Sequence, residues 1–156
     1  MISKLVWLAI LSGAAFATLA LAHEGATGVV KERMDLMKRQ QKDMKLIGDM
    51  AKGKTTFDAA KAAEAARDID VTAKKIQDLF PEGSSGGKSE ALDAIWKEWD
   101  RFTANANDLE GVAQELASSL EGAAGQDWKA AFQKVTDACK SCHQDFRAKK
   151  KEHGDH

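Results

Sequence analysis

Tyrosine is absent from this chain of 156 residues, proline occurs once, at Pro81, and cysteine twice, at Cys139 and Cys142. So little proline and no tyrosine argue against a turn-rich β fold and for helices. An excess of charge of either sign is missing as well, since 23 basic and 24 acidic residues leave a formal charge of −1. With no basic footprint and no nucleic-acid motif, nucleic acid is set aside as a partner. An apolar content of 44% suits one globular domain with a real core.

The two cysteines are not scattered. They stand in Cys139-Lys140-Ser141-Cys142-His143, two thiols three positions apart with an imidazole beside the second. On a helix, residues 139, 142 and 143 share one face. Such a face lets both thiols meet the vinyl groups of a haem while His143 reaches the iron, which is the pattern of covalent haem c attachment. A zinc site would need a fourth ligand from His153 or His156 near the end of the chain. A thioredoxin-type pair would want a βαβ context, and no strand pattern precedes the motif. A disulfide across i and i+3 is awkward inside a helix and closes almost no loop.

The amino-terminal stretch reads as a leader. Lys4 is its one charge, Leu5 to Leu19 is apolar apart from Ser12, Gly13 and Thr18, and Ala20-Leu21-Ala22 fits the small-residue cleavage rule. Residues 1–22 are thus expected to be a signal peptide and 23–156 the folded domain; uncut, the stretch approaches the length of a membrane anchor. Loss of Lys4 would leave 22 basic and 24 acidic residues, a charge of −2. Export to the periplasm, with no stable membrane anchor, agrees with haem attachment, which in bacteria takes place outside the cytoplasm. Cleavage would also make His23 the amino terminus, where amine and imidazole can chelate copper, although no second histidine is near in sequence.

Four apolar-periodic segments follow, predicting an all-α, antiparallel four-helix bundle with helices at roughly 27–52, 56–80, 89–121 and 127–151. The first places Val30, Met37, Met44 and Ala51 seven apart and ends at Gly53. Gln40 and Gln41 interrupt its stripe and are expected to face solvent or a helix end. The second, opened by Thr55 to Asp58, runs from Ala59 through Ala63, Ala66, Ile69, Ala73 and Ile76 to Phe80, and Pro81 ends it. Glu82 to Lys88 is a Gly/Ser-rich loop, and Ser89 is expected to cap the third helix, whose seam starts at Leu92 and ends at Leu120. Asp127 caps the fourth, whose inner face carries Trp128, Ala131, Phe132, Val135, Ala138, Cys139, Cys142 and Phe146. Lys149 to Lys151 are read as cations complementing the end of that helix.

Haem attachment on the last helix of an exported four-helix chain resembles the class II c-type cytochromes, cytochrome c prime and its low-spin relatives of the cytochrome c-556 type. The resemblance spans nearly all of 27–151: Arg33-x-x-x-Met37, Lys52-Gly53-Lys54 with Phe57-Asp58, Leu79-Phe80-Pro81, Ile95-Trp96, and Cys139-x-x-Cys142-His143-x-x-x-Arg147. It implies one haem c on Cys139 and Cys142, His143 as proximal iron ligand, Arg147 as the basic residue beside it on the same helical face, and Arg33 near a haem propionate. Trp96 is a candidate wall of the haem site. Met37 falls at the distal position, with Met34 and Met44 at neighbouring angles. A thioether opposite His143 would give a low-spin electron carrier that turns over no substrate. An uncoordinated Met37 would instead leave a five-coordinate iron open to nitric oxide or carbon monoxide. Redox partner proteins in the periplasm, meeting Lys140 and the basic carboxyl-terminal turn, are the implied partners, and a homodimer through the first two helices stays open. Peroxidase-like catalysis lacks a distal histidine near Met37.

Overall fold

The computed structural model describes residues 26–121 and 127–149. The leader at 1–22, His23, the whole Gly122–Gly125 break, Lys150, Lys151, His153 and His156 lie outside the described residues. Four long helices, α1 (Gly28–Ala51), α2 (Ala59–Ala73), α4 (Trp99–Glu121) and α5 (Trp128–Phe146), form the bundle, with the short α3 (Ala94–Lys97) leading into α4. Successive long helices are joined antiparallel as in an up-and-down bundle, and α2 against α4 and α4 against α5 are the extensive contacts.

Local chemistry explains most boundaries. Asp58 accepts from the Lys61 amide and Asp127 from the Ala130 amide, capping α2 and α5. Gly53, at φ +68°, ends α1 in the left-handed region that favours glycine. The alanine stripe of α2 behaves as its spacing predicts: Ala62, Ala63, Ala66 and Ile69 are buried among Phe102, Ala113, Leu116 and Leu120 of α4 and Ile47 of α1 in one core.

Three boundaries differ from those the periodicity predicts. The second helix begins at Ala59 and stops at Ala73, then tightens into a 3-10 turn at Gln77–Leu79 with i to i+3 bonds, Ile76 N to Ala73 O (3.0 Å) and Leu79 N to Ile76 O (3.1 Å). The third does not start at Ser89. Residues 89–93 are not helical, the Ser89 hydroxyl accepts from the Ala91 amide, Leu92 is exposed, and Glu98 breaks the helix between α3 and α4. The last stops at Phe146, so Lys149 lies beyond the helix end. The second and third changes share a cause: Ala91 and Arg147 form an antiparallel bridge, with Leu92 N to Phe146 O (3.0 Å) and Ala148 N to Glu90 O (2.8 Å). Backbone groups that find partners across the fold have no need of a further helical turn.

Gln40 is also placed differently. It is buried, and its amide donates to the Thr72 hydroxyl (3.1 Å), which itself donates to the Asp68 carbonyl (2.7 Å), a polar tie between α1 and α2; Gln41 is exposed, as predicted. One turn on, Asp43 faces Asp68, which is paired with Arg39. Asp43 Oδ2 is buried without a hydrogen-bond partner. Burial first, then the neighbouring Asp68, pushes the Asp43 carboxyl up to about 6, with Arg39 and Lys42 opposing. The folded protein therefore holds this proton more tightly than the unfolded chain. Its contribution to stability is present below the ordinary carboxylate range and is lost as pH rises through about 6. Asp43→Asn is expected to remove this slope and to be more stable than the parent at neutral pH by about 1 kcal/mol, after allowance for solvent screening. Urea unfolding in acetate and in neutral buffer measures it.

Candidate functional site

The attachment motif lies on the last two turns of α5. Cys139 and Cys142 are free thiols, both partly buried and packed against the core, while His143 stands at the exposed end of the helix. Desolvation raises both thiols, Cys142 to about 11 with Cys139 and Asp145 adding to the effect. Thiols so protonated at neutral pH are poor ligands for zinc and slow in disulfide exchange. Among the described residues no group of three His, Cys, Asp or Glu could hold a metal ion. Partial burial of the His143 ring, then the charge of Arg147, disfavours imidazolium, with Glu90 opposing. A neutral imidazole is the form that ligates iron.

Met37 sits on α1, half-buried against the core, as is Met44. The pair α1 and α5 packs far more sparsely than α2 with α4 or α4 with α5. Where they do meet, the Phe132 ring occupies the space beside Gly48, 3.4 Å from where a Cβ would stand. This contact sets the register. Met37 lies eleven residues before Gly48, and His143 eleven after Phe132. In antiparallel helices both displacements point the same way, each about 16 Å and close to three whole turns. Met37 and His143 thus stand level, each on the same face of its helix as the contact residue. The sparse packing of α1 on α5 and the two thiols carried by α5 are compatible with a group held from that helix.

Arg33 is buried at 5% exposure and has no acidic partner among the described residues. Its guanidinium donates to the Leu79 carbonyl through Nε (3.0 Å) and Nη2 (2.8 Å), to Ser84 Oγ (2.8 Å) and to Ser89 Oγ (2.9 Å), and lies 3.9 Å from the centre of the Phe80 ring. Desolvation lowers its pKa. The resemblance suggested Arg33 through a propionate alone; its bonds to the 79–89 connection carry no periodic signal and are visible only in the fold.

Arg147 does not share a helical face with His143. It is extended, one residue past α5, and its Nε (2.7 Å) and Nη2 (2.6 Å) bind Glu90, a residue the sequence reading did not single out. Trp96 is fixed by its indole N–H, which donates to the carbonyls of Phe80 (3.0 Å) and Pro81 (3.1 Å).

A helical bundle with a Cys-x-x-Cys-His pair of thiols on its last helix defines a class II c-type cytochrome. Comparison with known proteins agrees. A sequence profile of the cytochrome c′ family matches residues 28–147. The chain is 34% identical over 128 residues to cytochrome c-554 of Cereibacter sphaeroides, covering 78% of this chain and 93% of that protein. It is 35% identical to cytochrome c-556 of Agrobacterium tumefaciens, covering 79% and 99%. Among solved structures, cytochrome c′ from Rhodopseudomonas palustris superposes with a TM-score of 0.73 at 33% identity, covering 81% of this chain and all of that one. The chain belongs to the cytochrome c′ family. It is a haem protein of electron transfer or gas binding, with covalently bound haem c and its iron.

Proposed function

We propose that this protein is a periplasmic electron carrier in which Cys139 and Cys142 would hold the haem, and His143 and Met37 would ligate its iron. The haem supplies a one-electron couple at iron. Each thiol contributes its sulfur to a thioether, the S–H proton passing to the vinyl carbon so that no oxidant is needed. His143 offers a neutral ring nitrogen, and Met37 a soft thioether that favours the reduced iron. Export by a signal at 1–22 belongs to the same reading.

The observation that carries it is the contact of Phe132 with Gly48 across the sparsely packed α1–α5 seam, from which the helical rise counts Met37 and His143 to the same level. Met34 lies one position round from that face, and Met44 two turns nearer to the Gly48 contact. The test is a visible spectrum of the oxidised haem protein and of Met37→Ala. The parent is expected to be low-spin, with the weak long-wavelength charge-transfer band of methionine-ligated ferric haem. The variant should become high-spin, lose that band and drop in reduction potential by on the order of 100 mV. A parent that is already high-spin, with ferrous protein binding carbon monoxide without displacing a ligand, would move the function to diatomic gas binding.

A further inference from the structure

A second concavity, of about 510 Å³, opens between the turn after α2 and the junction of α3 with α4. Its walls are Phe80, Pro81, Trp96 and Trp99, and its rim carries Asp78 and Glu82. Phe80 is 5% exposed with the Arg33 guanidinium 3.9 Å from its ring centre, so the surface open to a ligand is that of the two indoles, with two carboxylates at the rim. The face of an indole is negative and attracts a cation that carries its own apolar surface. The volume lies within the range of about 300–1,000 Å³ that holds small ligands.

The pocket is built in advance. Trp96 is pinned by two carbonyls, Phe80 is wedged against Phe102 at 4.7 Å between ring centres, and Trp99 packs on Phe102 at 5.5 Å while remaining 37% exposed. Asp78 and Glu82 are both exposed, and among the described residues neither has an ion-pair or hydrogen-bond partner through its side chain. The two carboxylates outnumber the one buried cation, Arg33 against Phe80, and leave a net negative field beside the exposed indole. A simple metal ion would lack the oxygen cage it needs, since only two carboxylates are at hand. A weakly hydrated cation with methyl groups would use both the rings and the field.

We propose that this pocket is a binding site for a small organic cation of the quaternary-ammonium class. The site is separate from the thiols of α5 and does not depend on which residue ligates the iron. The test uses the haem-loaded protein, titrated calorimetrically with choline and with its uncharged isostere 3,3-dimethyl-1-butanol at constant ionic strength. Choline is expected to bind saturably, and the isostere about tenfold more weakly or not at all. Asp78→Asn with Glu82→Gln should weaken choline about tenfold and leave the isostere unchanged, and Trp99→Ala should weaken choline comparably. These residues are on the surface, and an unaltered haem spectrum reports that each variant is folded. Equal binding of choline and isostere, no saturable binding of choline, or tighter binding of a lysine peptide than of choline would each overturn the proposal.

Discussion

Protein matured in a host that exports and attaches haem is expected to carry the mass of one haem, and Cys139→Ala with Cys142→Ala to emerge without it. The effect should be all or nothing for the covalent adduct, because no other thiol exists in the chain. Denaturing mass spectrometry reads it directly. Either single variant keeps one thiol and should retain a fraction of haem on one thioether. The consequences extend beyond the adduct. Helices α1 and α5 pack sparsely against each other, so contacts made by a bound haem would add to those of the bare bundle. A fall of about 10 °C or more in the thermal midpoint is expected, since those contacts belong to the folded state alone. A zinc-binding or redox-active pair is disfavoured by the same burial that raises both thiols. Should the parent emerge as bare polypeptide, the electron-carrier reading would fall with it.

Arg33→Ala is expected to destabilise the haem protein by about 3 kcal/mol in denaturant unfolding. The guanidinium is buried, has no carboxylate partner among the described residues, and satisfies the Leu79 carbonyl and the hydroxyls of Ser84 and Ser89 together. Its removal leaves those groups short of partners and takes away the cation over the Phe80 ring. Arg33→Lys should recover less than half, because an ammonium cannot offer two donors to one carbonyl while reaching two hydroxyls. The glycines of the connection, Gly83, Gly86 and Gly87, all have positive φ, so the loop has little rigidity of its own and depends on this anchor. Loss of protection in amide exchange should accordingly be greatest in residues 79–89. A propionate, if one approaches Arg33, would meet an uncompensated positive charge; the arginine would then serve the connection and the cofactor together.

Much of this protein can be read along the chain because the relevant physics is local. The haem chemistry rests on three side chains within five residues, and their spacing is meaningful on any helix. The helices declare themselves through a period of three and four, and α1 and the caps at Asp58 and Asp127 came out where expected. Gln40 shows the limit: a polar side chain within an apolar stripe looks like a solvent-facing break, until Thr72 on another helix supplies its partner.

The ends of the third and fourth helices show the same limit in backbone form. Ala91 and Arg147 are far apart in sequence, and no window along the chain contains both. Their bridge ends α5 at Phe146, keeps residues 89–93 from joining the next helix, and turns Arg147 away from His143 towards Glu90. By itself, then, the sequence determined the bundle, the two thiols and the imidazole, since periodicity and ligand chemistry act between near neighbours. Only the tertiary structure decided what Arg33, Gln40 and Arg147 hold, and that Phe132 meets Gly48, because those pairings join segments whose distance is set by packing.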